Sequence, residues 1–214
     1  MNWSKDSMVE PVPFKAVLWD LGGVLLRTED WEPRHCLDRM LDLPNGKIYE
    51  LVFESEMSRK ATIGEAANDE LWMWVGEQLE LSSDKLTLVR DEFWSGDQID
   101  MELIRFIRAR KTETKMGLLS NGWPSTRRFL DERWHIADIF DDMIISAEVG
   151  LAKPDRMIYQ LALDRLGVEA EQTIFIDDFD ENIRGARELG IHGIHFQSPQ
   201  TVLEELKDLL GLTV

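Results

Sequence analysis

Six side chains of this 214-residue chain stand where chemistry could be done. Asp20 ends the apolar run Lys15–Asp20 (KAVLWD). Ser120 and Asn121 follow the run that begins at Met116. Lys153 lies in Gly150-Leu151-Ala152-Lys153-Pro154, and Asp177 and Asp178 close Thr173–Asp177 (TIFID). Clustered carboxylates repel one another and are costly to desolvate. A hard divalent cation resolves this, and Mg²⁺ favours a few carboxylates completed by water and substrate phosphate. A lysine beside them holds a nucleophile ionised and grips an anion. A hydroxyl and nearby backbone N–H groups bond phosphate oxygens, and a central carboxylate can attack covalently. Each residue alone has a plainer use. A strand-end Asp caps a loop, Ser-Asn-Gly makes a turn, an acidic pair opens a helix, and a lysine before proline is solvated. Their joint placement at strand ends argues for one crevice.

The elements that position them follow from periodicity. Short apolar runs predict strands at Lys15–Asp20, Met116–Ser120, Met143–Ser146, Thr173–Asp177 and Ile191–Phe196. Helices are predicted between and after them, at Asp100–Arg110, Ser125–Trp134, Pro154–Leu166 (Pro near its first turn), Asp180–Leu189 and Val202–Leu210. Such alternation means a parallel sheet with right-handed crossovers, with ligands beyond the carboxyl ends of the strands. Residues 29–96 read as helices only: Trp31–Leu43, Lys47–Met57, one from Ile63 to about Leu79 capped by Thr62 and Glu65, and one from Ser83 to about Trp94. The reading is an α/β fold. Residues 1–28 and 97–214 form its parallel-sheet core, and residues 29–96 an inserted α-helical bundle.

Composition excludes several classes. With 41 acidic and 24 basic residues the net charge is −17, which repels nucleic-acid backbones and anionic lipid. No apolar run approaches the roughly 20 residues of a membrane span. Met1–Pro13 has no signal-peptide apolar core. A single cysteine, Cys36, fits a reducing compartment and reads as packing within its helix. A cytoplasmic protein with a small-molecule partner, and neither nucleic acid nor membrane, is expected.

In order along the chain, WDLGGVL, LLSNG, GLAKPD and FIDDFDENIRGA resemble the four motifs of the haloacid dehalogenase-like hydrolase superfamily, helical insertion included. The resemblance covers essentially the whole chain. It implies a Rossmann-like sheet under a helical cap and an aspartyl-enzyme intermediate on Asp20. It also implies Mg²⁺ held by Asp20, the Gly22 carbonyl and Asp178. Asp177 and Asn182 would support the site, Ser120 and Asn121 bind phosphate, and Lys153 stabilise charge.

One departure stands out. Most phosphatases of the superfamily carry a second Asp two residues after the nucleophile, as acid for the leaving alcohol; here that position is Gly22. A general acid is typically worth about 10²–10⁴-fold. The DLGGV form is similar to the branch with glucose-1-phosphate phosphatase and the phosphatase domain of epoxide hydrolase relatives. It implies a phosphate ester with an undemanding leaving group, sugar phosphate favoured. A metal-independent dehalogenase and a non-catalytic binder are the alternatives, and the acidic pair Asp177-Asp178 favours metal and phosphate over the former. Arg59 or Lys60, on an expected loop at Met57–Ala61 before the third helix of the insertion, and Trp123 are candidate substrate contacts. Glu29 or Asp30 is a candidate substitute proton donor. Trp31, Trp72, Trp74 and Trp94 read as core of the inserted bundle, and the four histidines carry no assigned role.

Overall fold

The computed structural model describes residues 14–212, so the reading of Met1–Pro13 lies outside the described residues. Five parallel strands form the central sheet: β1 (Ala16–Trp19), β4 (Lys115–Ser120), β5 (Asp142–Ile145), β6 (Thr173–Asp177) and β7 (His192–His195), in the order β5-β4-β1-β6-β7. Their side chains alternate between two layers. Val17 and Trp19 of β1 join Leu103, Ile104, Met116, Ile174 and Leu206 on one face. Ala16 and Leu18 join Leu119, Ile144, Ile158, Phe175 and Ile183 on the other. A sheet covered on both faces by helices requires such continuous apolar strands.

The covering helices are α6 (Met101–Arg110) and α11 (Pro199–Leu209) on the first face, with α7 (Thr126–Glu132) beside them. On the other lie α9 (Arg156–Leu166) and α10 (Asp180–Arg187). The one-turn α8 (Ser146–Val149) follows β5. Asp100 caps α6 by accepting from the N–H groups of Glu102 and Leu103, both at 2.9 Å. Pro154 lies outside α9, whose cap is Asp155, accepting from Met157 N–H at 2.8 Å.

Within residues 29–96 lie five α-helices: α1 (Glu32–Met40), α2 (Lys47–Tyr49), α3 (Glu56–Thr62), α4 (Asn68–Gln78) and α5 (Ser83–Phe93). They share a separate apolar centre of Leu37, Ile48, Val52, Leu71, Trp72, Val75 and Phe93. Three expectations fail here. Lys47–Met57 is not one helix: α2 runs into a π-helical turn at Glu50–Glu54 and breaks at Ser55, whose hydroxyl caps α3. Thr62 ends a helix instead of starting one, because Gly64 turns in the left-handed region and packs against the Ala147 carbonyl, 2.3 Å from where a Cβ would stand. Trp31 is 46% exposed, not core.

An antiparallel ribbon, β2 (Leu26–Thr28) with β3 (Asp97–Ile99), joins the two parts. No apolar alternation marks it, since each strand has three residues. Among the described residues, no helix is long and apolar enough to cross a membrane.

Candidate active site

The register places the acids side by side. Trp19 pairs with Ile176, so the next residues, Asp20 and Asp177, leave adjacent strands together. The Asp20 N–H donates to the Ile176 carbonyl at 2.9 Å, which holds the end of β1 against β6. Ser120, at the end of β4 on the other flank of β1, is buried.

Lys153 sits between the two carboxylates. Its Nζ is 2.7 Å from Asp20 Oδ1 and 2.6 Å from Asp177 Oδ2, and its side chain is 1% exposed. Asp177 is completed by the Asn182 amide at 3.0 Å and the Phe179 N–H at 2.8 Å, both donating to Oδ1. Asp20 Oδ1 also accepts from Leu21 N–H at 2.7 Å. Among the described residues, Asp20 Oδ2 makes no protein hydrogen bond.

Burial pushes the Asp20 carboxyl well above the ordinary carboxylate range; Lys153 opposes the shift, and the charges of Asp177 and Asp178 add to it. Burial alone would lower the Lys153 ammonium, but Asp20 and Asp177 outweigh it and hold it above its usual value. Burial and the Asp177 charge raise Asp178.

The donor set suits a divalent cation. One oxygen from each of Asp20, Asp177 and Asp178 lies within 4.8 Å of the others. Three carboxylates face a single lysine here. Among the described residues, Asp178 Oδ1 is buried without a hydrogen-bond partner, an expensive state for an anion that a bound cation relieves. Asp178 is seated against Gly23, whose φ is +79°; a Cβ there would stand 2.1 Å from Asp178 Oδ2. Around Gly22, by contrast, a Cβ would meet nothing within 4 Å.

Several sequence-derived candidates make contacts of their own within the protein. Asn121, expected on phosphate, clamps the lysine backbone: its amide donates to the Lys153 carbonyl at 2.9 Å and its Oδ1 accepts from Lys153 N–H at 2.8 Å. Arg59 lies on α3, not on a loop; it is exposed and donates to the Glu54 carbonyl at 2.9 Å. Trp123 stacks on Phe53 at 5.5 Å and meets Trp94 edge-on at 5.9 Å, linking the loop after β4 to the inserted helices. Glu29 pairs with Arg27, and Asp30 accepts from Glu32 N–H. His195 lies closer to the centre than expected, its Nε2 2.9 Å from the Asp178 carbonyl.

The sequence reading missed Arg34. It is buried on α1 and donates to Asp97, Thr28 and the Phe93 carbonyl. The signal was present: Arg34, Leu37 and Leu41 share one helical stripe, so a charge had been placed on an apolar face.

The arrangement can hold one ionised carboxylate toward an electrophile, balance its charge with a lysine and bind a divalent cation alongside. Known proteins place it further. A crystallised HAD family enzyme from Bacteroides thetaiotaomicron, in complex with magnesium and inorganic phosphate, superposes with a TM-score of 0.71 at 23% identity, covering 87% of this chain and 96% of that one. The sesquiterpene phosphatase astK of Aspergillus oryzae is 27% identical over 92% of this chain and 97% of its own length. The bifunctional epoxide hydrolase 2 of Sus scrofa is 40% identical over 34% of this chain but only 13% of its own length. Residues 14–190, with four of the five sheet strands, the lysine and all three acids, match the model of the haloacid dehalogenase-like hydrolases, and the chain belongs to that family.

Proposed function

We propose that the chain is a Mg²⁺-dependent phosphomonoester hydrolase working through an aspartyl-phosphate on Asp20. The observation that carries the reading is the Lys153 ammonium wedged between Asp20 and Asp177, beside the unpartnered buried oxygen of Asp178. Relatives bearing phosphatase names agree with it.

Asp20, the Gly22 carbonyl and Asp178 would hold the cation. Bound there, it would supply positive charge against the transferring phosphoryl group and would relieve the repulsion among the acids. Lys153 opposes the burial that raises the Asp20 carboxyl and so favours its ionised form. An Asp20 oxygen attacks phosphorus as the ester P–O bond breaks, and the electron pair leaves with the alcohol oxygen. Ser120 and the following backbone N–H groups orient the phosphoryl oxygens. Water then attacks phosphorus, phosphate departs and the Asp20 carboxylate is regenerated. Asn121 and Asn182 keep Lys153 and Asp177 in place.

No carboxyl at residue 22 protonates the departing oxygen, which directs the enzyme to alcohols that leave readily as anions, anomeric sugar phosphates and aryl phosphates among them. Residues 29–96 act as a cap over the crevice. Half-buried, free Cys36 supports a reducing, cytoplasmic setting.

The test is hydrolysis of an aryl phosphate with millimolar Mg²⁺, with excess chelator, and with Asp20→Asn. Release that needs both Mg²⁺ and Asp20 supports the proposal. Release indifferent to either contradicts it.

A further inference from the structure

The structure assigns a second part to the site: a chain of aromatic rings running from the loop after β4 into the inserted helices, which binds the alcohol half of the substrate. It begins at Trp123, three residues beyond Ser120. Phe53 stacks on Trp123 at 5.5 Å with the rings 23° from parallel. Tyr49 follows at 4.8 Å from Phe53, and Trp31 at 5.7 Å from Tyr49. Trp94 closes the side, edge-on to Phe53 at 5.7 Å. Both ends are tied to the catalytic strands. Trp123 lies in the loop whose Asn121 clamps Lys153, and Trp31 follows the ribbon strand β2 that leaves the Asp20 loop.

Phe53, Trp94 and Trp123 pack against the centre of the helical bundle without being buried in it. That centre is aliphatic around buried Phe93 and Trp72. Tyr49, Phe53, Trp94 and Trp123 are half-buried and Trp31 is exposed, so ring surface stays open to solvent. Contiguous open aromatic surface is costly and marks a ligand site.

The rings are also held rigid. The Arg34 guanidinium lies 5.2 Å from the Trp31 centroid and 5.7 Å from those of Tyr49 and Phe53. With its donors engaged by Asp97, Thr28 and Phe93, it orders the rings and binds no substrate anion itself. Tyr49 and Phe53, four residues apart, share one face of the segment that runs into the π-helical turn Glu50–Glu54, a rare geometry that recurs at functional sites. Glu50 and Glu54 are exposed on that turn and disfavour an anionic leaving group.

Two independent features therefore select the same alcohol. The ring chain prefers a flat, apolar, uncharged group, and the open space at Gly22 offers no proton to its oxygen. We propose that the preferred substrates are phosphate monoesters of aromatic alcohols. This rests on the phosphatase reading above.

The experiment compares naphthyl, phenyl and acetyl phosphates with Mg²⁺, in wild type and in Trp31→Ala and Phe53→Leu. Trp31 is exposed and Leu keeps most of the apolar volume of Phe53, so both variants should fold. Wild type is expected to take naphthyl phosphate with a KM about tenfold below that of phenyl phosphate. Each variant should raise the naphthyl KM several-fold with a smaller change in kcat. Naphthyl phosphate should also quench tryptophan fluorescence of Asp20→Asn, less so when Trp31→Ala is added. Equal KM values for the two aryl esters, or variants that lower kcat alone, overturn the ring-chain proposal while turnover of acetyl phosphate leaves the phosphatase reading standing. No turnover of acetyl phosphate overturns both.

Discussion

Lys153 Nζ stands 2.7 Å from Asp20 Oδ1, with side chains only 1% and 8% exposed. A buried ammonium this close to a buried carboxylate favours its charged form and opposes the burial that raises its carboxyl. Lys153→Met is therefore expected to lower kcat at least about a hundredfold, as loss of a placed electrostatic group does. Lys153→Arg should not restore it, because a planar fork cannot replace one compact donor shared by Asp20 and Asp177. Steady-state kinetics on an aryl phosphate checks both; activity in Lys153→Met within a few-fold of wild type would refute the assignment.

The neighbouring glycines should behave oppositely. Gly23→Ala forces a Cβ onto Asp178 from a backbone at φ +79° and should abolish most activity together with Mg²⁺ binding. Gly22→Ala meets open space and should fold and turn over much as wild type. Gly22→Asp should raise kcat on an alkyl phosphate by about tenfold or more, since a general acid is worth about 10²–10⁴-fold. Isothermal titration with Mg²⁺ and a comparison of leaving groups separate the three variants.

Arg34 joins the inserted helices to the ribbon through Asp97, with Nη2 2.8 Å from Oδ1 and both side chains under 10% exposed. Removing one partner leaves the other charge buried and alone. Arg34→Met should cost about 3–5 kcal/mol in urea unfolding. Arg34→Lys should recover little, having one donor centre for three acceptors.

Asp100 is the acid-sensitive cap. Burial alone would raise its carboxyl, but the Leu103 and Glu102 N–H groups and Arg27, whose Nη2 lies 2.7 Å away, together bring it below the ordinary Asp value. A carboxyl that is lower in the folded state adds stability above its unfolded value, and that stability is lost as pH falls through the folded one. Asp100→Asn keeps a capping oxygen but no charge. It should be less stable than wild type at pH 7, and the gap should close as pH drops below about 4. A gap that persists unchanged in acid would contradict this.

The sheet was legible because each buried strand is a short apolar run, and its register then set Asp20 beside Asp177 without further information. The motif residues were legible because they stand at strand ends. The helical insertion was less so. The π-helical turn at Glu50–Glu54 leaves no mark in the apolar pattern, and Thr62 looks like a cap until Gly64 is found against Ala147. Ribbon strands of three residues carry too little alternation to be seen. The role of Asn121 depended on where Lys153 lay, a contact across 32 residues of sequence.

The most direct measurement is a single turnover with a labelled phosphate ester and Mg²⁺, quenched in acid and followed by peptide mass analysis. The account predicts one phosphoryl group on the peptide carrying Asp20, absent in Asp20→Asn. Ester cleavage with no phosphoryl group on that peptide, or with label on another residue, would contradict it.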